Sequence, residues 1–233
     1  MTAAPVRTAS GTELLDDPSA DPVMVRTNLE DLARANRWFG GWAAVRFGLA
    51  ATLRDRVAGS EVSLLDVGPG AADLTAAARR WAERRGITII PIAVEQNRAV
   101  ARFAHARELP VACGRGGTMP LANDSVDLVL VSQVAHHLEP NGVVELLREC
   151  DRVARHAVVV ADLRRSAMAR AAFTLGSRLL GFHPVTVADG LTSIRRGYTA
   201  VELRDLLRMA GLEGTVTRRP LFRLVAVWHP RRP

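Results

Sequence analysis

Three of the four carboxylates between residues 66 and 96 stand at a glycine turn or at the end of an apolar run. Asp66-Val67-Gly68-Pro69-Gly70 closes a short apolar run, Asp73 comes three residues on, and Glu95 stands directly after a second apolar run, 87–94, with Gln96 behind it. Glycines at the carboxyl end of a strand let the main chain approach a ligand closely and take turn dihedrals barred to other residues. An acidic residue that ends the second strand of an open α/β sheet can accept hydrogen bonds from both hydroxyls of a ribose. Asp73 narrows the ligand further. A dinucleotide site wants a third glycine and rests a pyrophosphate on the helix N-terminus. A carboxylate on that turn repels a pyrophosphate and suits a ligand that carries an ammonium and a sulfonium.

Further along, His136 and His137 come after the apolar run 126–131, Asp162 ends the run 156–162, and His183 and Tyr198 lie in the segment beyond it. Cys113 and Cys150 belong to no metal-type cluster, so no metal site is expected and both read as buried thiols.

These residues need a frame, and from residue 61 the chain alternates strand and helix. Residues 62–67 form a short buried strand, 72–85 a helix stopped by Gly86, and 87–94 a second strand whose Pro91 places it near an edge. A helix over 97–107, strands over 109–113 and 126–131, a helix over 142–154 and a strand over 156–162 continue the pattern. An amphipathic helix over 166–180 and another over 200–210 come next, and 215–217 and 221–228 read as a closing hairpin. Alternating βα units give a parallel sheet covered on both faces. The expected fold is therefore α/β: a Rossmann-like, seven-stranded, mostly parallel sheet with an antiparallel C-terminal hairpin. Two helices, over 23–39 and 42–57, are separated by Gly40-Gly41 and precede the first strand, so they form an N-terminal cap. The domain reading is a flexible tail over 1–22, the cap over 23–59 and the sheet domain over 60–233.

The 233 residues suffice for one α/β domain with a full core. A formal net charge of +7 points first toward nucleic acid. All 31 basic residues are arginine, however, which together with abundant alanine reads as the codon bias of a GC-rich genome. Pairs such as Arg79-Arg80, Arg164-Arg165 and Arg218-Arg219 fall in different elements, with no interleaved aromatics to stack bases. The charge is read as solvated surface, and no nucleic-acid partner is expected. No apolar run is long enough to span a membrane and no apolar signal core opens the chain, so a cytoplasmic protein is expected.

Taken as a set, several stretches resemble class I S-adenosylmethionine (SAM) dependent methyltransferases. Leu64-Leu65-Asp66-Val67-Gly68-Pro69-Gly70 is similar to their first motif, and Glu95 to the acidic residue after their second strand. Met119-Pro120-Leu121 through Ser125-Val126-Asp127-Leu128-Val129 resembles the stretch leading into their fourth strand. Ser132-Gln133-Val134-Ala135-His136-His137-Leu138 resembles the segment just after that strand, and Leu146-Leu147-Arg148-Glu149 to Val153 the helix before the fifth. The resemblance covers roughly 61–164. Its flavour is that of the ubiquinone/menaquinone-biosynthesis type and of small-molecule methyltransferases of bacterial secondary metabolism. Asn36-Arg37-Trp38-Phe39-Gly40-Gly41 and the segment 183–212 resemble the same group.

The resemblance implies SAM as cofactor, held by Asp66, Gly68, Pro69, Gly70, Asp73, Glu95, Gln96, Arg115, Gly116, Ser132, Gln133 and His137. Two positions depart from the family pattern. Ala72 stands where a third glycine is common, and Arg115 where an acidic residue holds the adenine amino group. An arginine cannot accept that bond, which leaves adenine to main-chain groups around Arg115 and Gly116. Methyl transfer needs nucleophile and sulfonium aligned, and a phenolic nucleophile gains from a base. His136, His137, His183 and Tyr198 are the candidate catalytic residues, with Asp162 either orienting a base or capping a helix. In this fold the insertion after strand five, about 164–198, resembles a substrate lid. Its Met168, Ala172, Leu175, Leu179 and Phe182, with Trp38, Phe39 and Trp42 of the cap, are expected to enclose a small aromatic or polyketide-like substrate for O- or C-methylation. The alternatives are an RNA or protein methyltransferase, a SAM-fold binding or scaffold protein without methyl transfer, and a nicotinamide oxidoreductase, against which Asp73 argues. A homodimer is the assembly to test.

Overall fold

Unbroken apolar runs become central strands where helices cover both faces. The computed structural model describes residues 7, 11, 13–17 and 19–231. Its strands are β1 (Glu61–Val67), β2 (Thr88–Glu95), β3 (Val111–Cys113), β4 (Val126–Ser132), β5 (Ala154–Leu163), β6 (Thr215–Arg219) and β7 (Arg223–Trp228). They form one sheet in the order β3-β2-β1-β4-β5-β7-β6. β1 to β5 run parallel, and β7 lies antiparallel to both β5 and β6. This is the expected Rossmann-like sheet, and its order reverses between β1 and β4, where such folds place ligands.

The helices are α1 (Pro22–Trp38), α2 (Gly41–Thr52), α3 (Asp73–Glu83), α4 (Arg98–His105), α5 (Pro140–Val153), α6 (Ala167–Leu179), α7 (Pro184–Arg196) and α8 (Ala200–Met209). Side chains alternate across each strand. Leu64 of β1 joins α2 and α3 in one buried layer, while its neighbour Leu65 joins α5 and α8 in the other. α2 packs close to β5 and β7 because Gly48 faces them: a Cβ there would lie 2.3 Å from Cγ1 of Val159. Gly48→Ala is therefore expected to lower stability by about 1–3 kcal/mol through overpacking, although alanine is the better helix former. A lower urea midpoint at unchanged m-value would show it, and an unchanged midpoint would refute it.

β2 does lie near an edge, next to the outermost strand β3. It tolerates Pro91 because β3 pairs only with Ala93 to Glu95, so the flank on which Pro91 lacks a donor carries no partner. Ala93, two residues on, donates on that same side to the Pro110 carbonyl. Several expectations need correction. The segment after Leu180 holds a further helix, α7, that its polar composition concealed. The apolar stripe of the insertion faces inward only in part: Met168, Leu175 and Leu179 are 70%, 63% and 78% exposed, whereas Ala172 lines the cavity and Phe182 is buried. Cys113 is exposed on the short outer strand β3, while Cys150 is buried and its thiol is pushed up by desolvation.

The stretch read as a flexible tail also contributes ordered structure. Leu14–Asp16 form a 3-10 turn. Arg7 donates to the Leu138 and Arg196 carbonyls and stacks on Tyr198. Among the described residues, no helix is long and apolar enough to cross a membrane.

Candidate active site

The carboxyl ends of β1, β2, β4 and β5 open into one cavity of about 270 Å³. The turn after β1 forms its floor through Gly68, Pro69 and Gly70. Gly68 sits at φ +70°, and a Cβ there would fall 2.6 Å from Val134. Ala72, in the place of a third glycine, takes the left-handed conformation itself (φ 58°) and caps α3.

Asp66, Asp73 and Glu95 all line this end of the cavity. Burial pushes the Asp66 carboxyl up to about 7; the charges of Asp73 and Glu95 add to this, and the Thr75 hydroxyl bonded to it opposes. Burial likewise raises Asp73, against the bonds from Asn36, and Glu95, against the 2.8 Å bond from the Asn97 N–H. Two buried polar atoms here, Asp66 Oδ1 and Ser132 Oγ, find no hydrogen-bond partner among the described residues.

A chain of buried hydrogen bonds holds this end in place. Asn36 of α1 donates to both oxygens of Asp73, each at 3.2 Å. Gln133, in a left-handed conformation at φ 57°, donates to Asn36 and accepts from Arg223 of β7 at 2.8 Å. Arg223 also donates to the Phe39 carbonyl at 2.9 Å. Burial lowers its guanidinium to about 10, opposed by the charge of Asp162.

His136 and His137 form a 3-10 turn after β4 and both line the cavity. His136 is 2% exposed; its Nδ1 lies 2.7 Å from Asp162 Oδ1, and its main-chain N–H donates to Asp162 Oδ2 at 3.1 Å. Burial by itself would raise Asp162, but the charge and hydrogen bond of His136 and the Leu163 and His136 N–H groups hold it below the ordinary carboxylate range. His137 faces the upstream segment, with Nδ1 3.2 Å from Asp16 and Nε2 3.7 Å from Glu13. Burial would lower His137, and these carboxylates more than offset it.

Apolar side chains also line the cavity, among them Phe39, Phe173, Ile194, Leu221 and Phe222. Phe39 and Phe173 pack with ring centroids 5.3 Å apart. Of the aromatics expected to close the site, only Phe39 lines the cavity. Trp38 is 57% exposed, Trp42 packs in the α2–α3 layer, and α6 turns Ala169, Ala172 and Phe173 inward instead of Met168.

The structure thus brings together Asp66, Gly68, Pro69, Gly70, Asp73, Glu95, Gln96, Gly116, Ser132, Gln133, His136 and His137. It leaves three candidates outside the cavity wall. Arg115 is exposed and bridges to Thr118, while its neighbours Gly114 and Gly116 line the cavity. His183 caps α7, accepting from the Val185 N–H, and its own N–H donates to Asp31 at 2.8 Å. Tyr198 is buried with its hydroxyl donating to the Leu138 carbonyl, and burial pushes it up to about 12, so it is a packing residue rather than a base. Sequence reasoning missed Asn36, Arg223 and the upstream Glu13, Leu15 and Asp16, which line or brace the cavity. For Asn36 a signal existed: it interrupts the apolar face of α1 seven residues after the buried Leu29.

Three carboxylates and two unpaired polar atoms at a glycine turn fit a ligand with cationic and hydroxyl groups better than one with phosphates. Residues 65–161 match the model of a family described as a methyltransferase domain. No curated protein matches the chain. Among solved structures, a SAM-dependent methyltransferase from Aquifex aeolicus aligns at TM-score 0.62 and 17% identity, over 91% of this chain and 99% of that one. A chain of the complex between the Haloferax volcanii Trm112 methyltransferase activator and a methyltransferase aligns at 0.61 and 14%, over 92% and 100%. Human N-acetylserotonin methyltransferase, in complex with SAM, aligns at 0.63 and 13%, over 91% and 56%. The family match covers less than half of the chain, and the solved structures share its Rossmann-like fold along nearly its whole length.

Proposed function

We propose that this protein is a methyltransferase that takes its methyl group from SAM and transfers it to a small, apolar, aromatic or polyketide-like metabolite. One observation carries the reading: one cavity joins a glycine turn flanked by buried carboxylates to a set of apolar and aromatic side chains. Asp66, Asp73 and Glu95 suit the ammonium and ribose hydroxyls of SAM, and the main chain at Gly114 and Gly116 is open to adenine in place of the Arg115 side chain. When bound, the cofactor supplies an electrophilic methyl group. The chain's own residues orient it, exclude water and receive the proton that the nucleophile sheds. Phe39, Phe173 and Phe222 would cover a flat apolar substrate, and a human protein of the same fold is named as an N-acetylserotonin methyltransferase, which supports a small-molecule acceptor.

The test is calorimetric titration with SAM, S-adenosylhomocysteine and NADH, then methyl-transfer assays with small phenols, RNA and protein. SAM and S-adenosylhomocysteine are expected to bind and NADH not. Absence of binding by either sulfur ligand at high micromolar concentration would end this reading, and transfer to RNA or protein instead of phenols would replace its substrate class.

The acidic end gives this binding a pH dependence of definite sign. A cationic ligand prefers the ionised carboxylate, so SAM must displace a proton from Asp66 below about 7. Affinity is expected to rise as pH increases through 7, with net proton release in titrations run in buffers of different ionisation enthalpy. The free protein behaves oppositely. Asp66 is protonated in the folded chain and ionised in the unfolded one between about 4 and 7, so its contribution to stability declines as pH rises through that window. The thermal shift produced by SAM should therefore grow with pH; a flat response would refute the assignment of Asp66.

A further inference from the structure

We propose that Glu13, His136 and His137 form a binding site for a divalent transition-metal ion, zinc above all, which fastens the segment ahead of α1 to the turn after β4. All three residues line the cavity, and one ligand atom from each lies within 4.8 Å of the other two. Asp162 binds His136 at ring Nδ1 (2.7 Å) and at the main-chain N–H (3.1 Å), and it also accepts from the Leu163 N–H at 2.6 Å. An ionised carboxylate only accepts hydrogen bonds, so Nδ1 carries the hydrogen and Nε2 of the neutral ring keeps its lone pair. Asp16 takes the corresponding place beside His137, 3.2 Å from Nδ1, with Glu13 on the Nε2 side. Metal-ligating imidazoles are oriented in this way, by a carboxylate on the nitrogen that faces away from the ion. Two observations ask for a ligand between them. Nε2 of His136 is buried and has no hydrogen-bond partner among the described residues, a costly state for an acceptor. Nε2 of His137 and Oε2 of Glu13 stand 3.7 Å apart, too far for a hydrogen bond. Around a tetrahedral ion with bonds of about 2.0–2.1 Å, ligand atoms stand about 3.3 Å apart, and this pair is within a few tenths of an ångström of that spacing.

The charge around these atoms suits a dication. Glu13, Asp16 and Asp162 meet here, with Asp189 of α7 beside the first two. Arg196 faces Glu13 and Asp16, each at 3.3 Å, and Arg223 faces Asp162 from β7. Four carboxylates against two guanidinium groups leave an excess of negative charge when both imidazoles are neutral. Glu13 is itself steadied by α7: the Ser193 hydroxyl donates to Oε2 at 2.9 Å and Arg196 to Oε1. Two imidazole nitrogens and one carboxylate favour borderline ions such as zinc over magnesium and calcium, which take shells of oxygen. Three protein ligands leave a fourth position to water or to a donor atom of a molecule in the cavity. The competing arrangement is a protonated His137 paired with Glu13 and Asp16, which needs no ion. Neither arrangement depends on methyl transfer.

The test is a titration of the chain with zinc chloride by calorimetry, after any histidine tag has been cut off and bound metal removed by a chelator. Cys113→Ser is carried in every sample, because that exposed thiol would bind zinc elsewhere. One equivalent of zinc is expected, undisturbed by a large excess of magnesium or calcium. Asp162→Asn, which alters only the support of one ligand, should weaken binding by about 10- to 100-fold. Glu13→Gln and His137→Ala, each of which removes a ligand, should weaken it further. Should these variants unfold, X-ray absorption at the zinc edge of the parent protein decides: imidazole scattering and a first shell of nitrogen and oxygen at about 2.0–2.1 Å are expected. Limited proteolysis reads the fastening: zinc should slow cleavage between Gly11 and Asp21 in the parent protein and not in His137→Ala. No zinc bound at high micromolar concentration overturns the site, and so does affinity unchanged in both Glu13→Gln and His137→Ala, a metal shell without imidazole, or displacement by magnesium. Nitrogen NMR that shows both ring nitrogens of His137 protonated in the presence of zinc establishes the ion-pair arrangement instead. Cleavage indifferent to zinc overturns the fastening. Titration with SAM alongside separates the two readings: SAM bound by a protein that takes no zinc removes only this site, and zinc bound by a protein that takes no SAM removes only the proposed function.

Discussion

Glu95→Ala is expected to weaken SAM binding by about 10- to 100-fold, the loss incurred when a charged acceptor worth roughly 1.5–3 kcal/mol is removed from a hydroxyl pair. Its position explains the size. β2 ends on Glu95, the side chain is 9% exposed, and its carboxyl is raised by burial, so the free protein holds a costly buried acid that a ligand relieves. The fold should tolerate the change, because what it loses are two main-chain bonds at the end of β2, from the Asn97 N–H at 2.8 Å and from Gln96. Asn97 itself caps α4 through its side chain, which accepts from Ala99 and Val100. Glu95→Gln, which keeps one acceptor oxygen, should fall between wild type and alanine. Calorimetry with SAM decides: affinity equal to wild type in Glu95→Ala removes the residue from the ribose site.

Arg223→Met is expected to lower stability by about 2–4 kcal/mol, the range for deleting one member of a buried charged network. That corresponds to a fall of roughly 5–15 °C in melting temperature for a chain of this size. Arg223 is 3% exposed and its guanidinium ties three elements together: β7, on which it sits, the Phe39 carbonyl at the end of α1, and Gln133 after β4. Methionine fills much of the same volume but strands the Phe39 and Gln133 oxygens without donors. The loss propagates to the site, because Gln133 holds Asn36 and Asn36 holds Asp73. SAM affinity should drop along with the melting temperature. A thermal melt within about 2 °C of wild type would show that water or a local shift satisfies those oxygens and that the network is not structural.

The sheet was legible because its signals are local. The runs in β1, β4 and β5 carry consecutive buried apolar residues, and only a strand covered on both faces has that pattern. The glycine turn, Asp73 and Glu95 could be placed because topology fixes where a strand's carboxyl end points. The helix stripe at Met168, Leu175 and Leu179 misled because periodicity shows that a helix has an apolar face but not which neighbour covers it. α6 turns those three outward and presents Ala172 of the same stripe, with Ala169 and Phe173, to the cavity. Tyr198 and His183 misled for a related reason: a titratable side chain near a site in sequence is as readily consumed by a carbonyl or a helix end as left free for chemistry.

By itself the sequence determined the α/β class, the strand that ends in the glycine turn, and the acidic character of the ligand end, since each is written in residues adjacent along the chain. Tertiary structure alone decided the rest. Asn36, Gln133 and Arg223 stand 97 and 90 residues apart in successive steps of one hydrogen-bonded chain. Glu13 and Asp16 reach His137 across more than a hundred residues. Of two adjacent histidines, it is His136 whose ring is held by Asp162, because β4 and β5 lie side by side and parallel, so that both open at the same end of the sheet. Such pairings depend on how elements separated in the chain are brought face to face, and no local pattern of residue types encodes that distance.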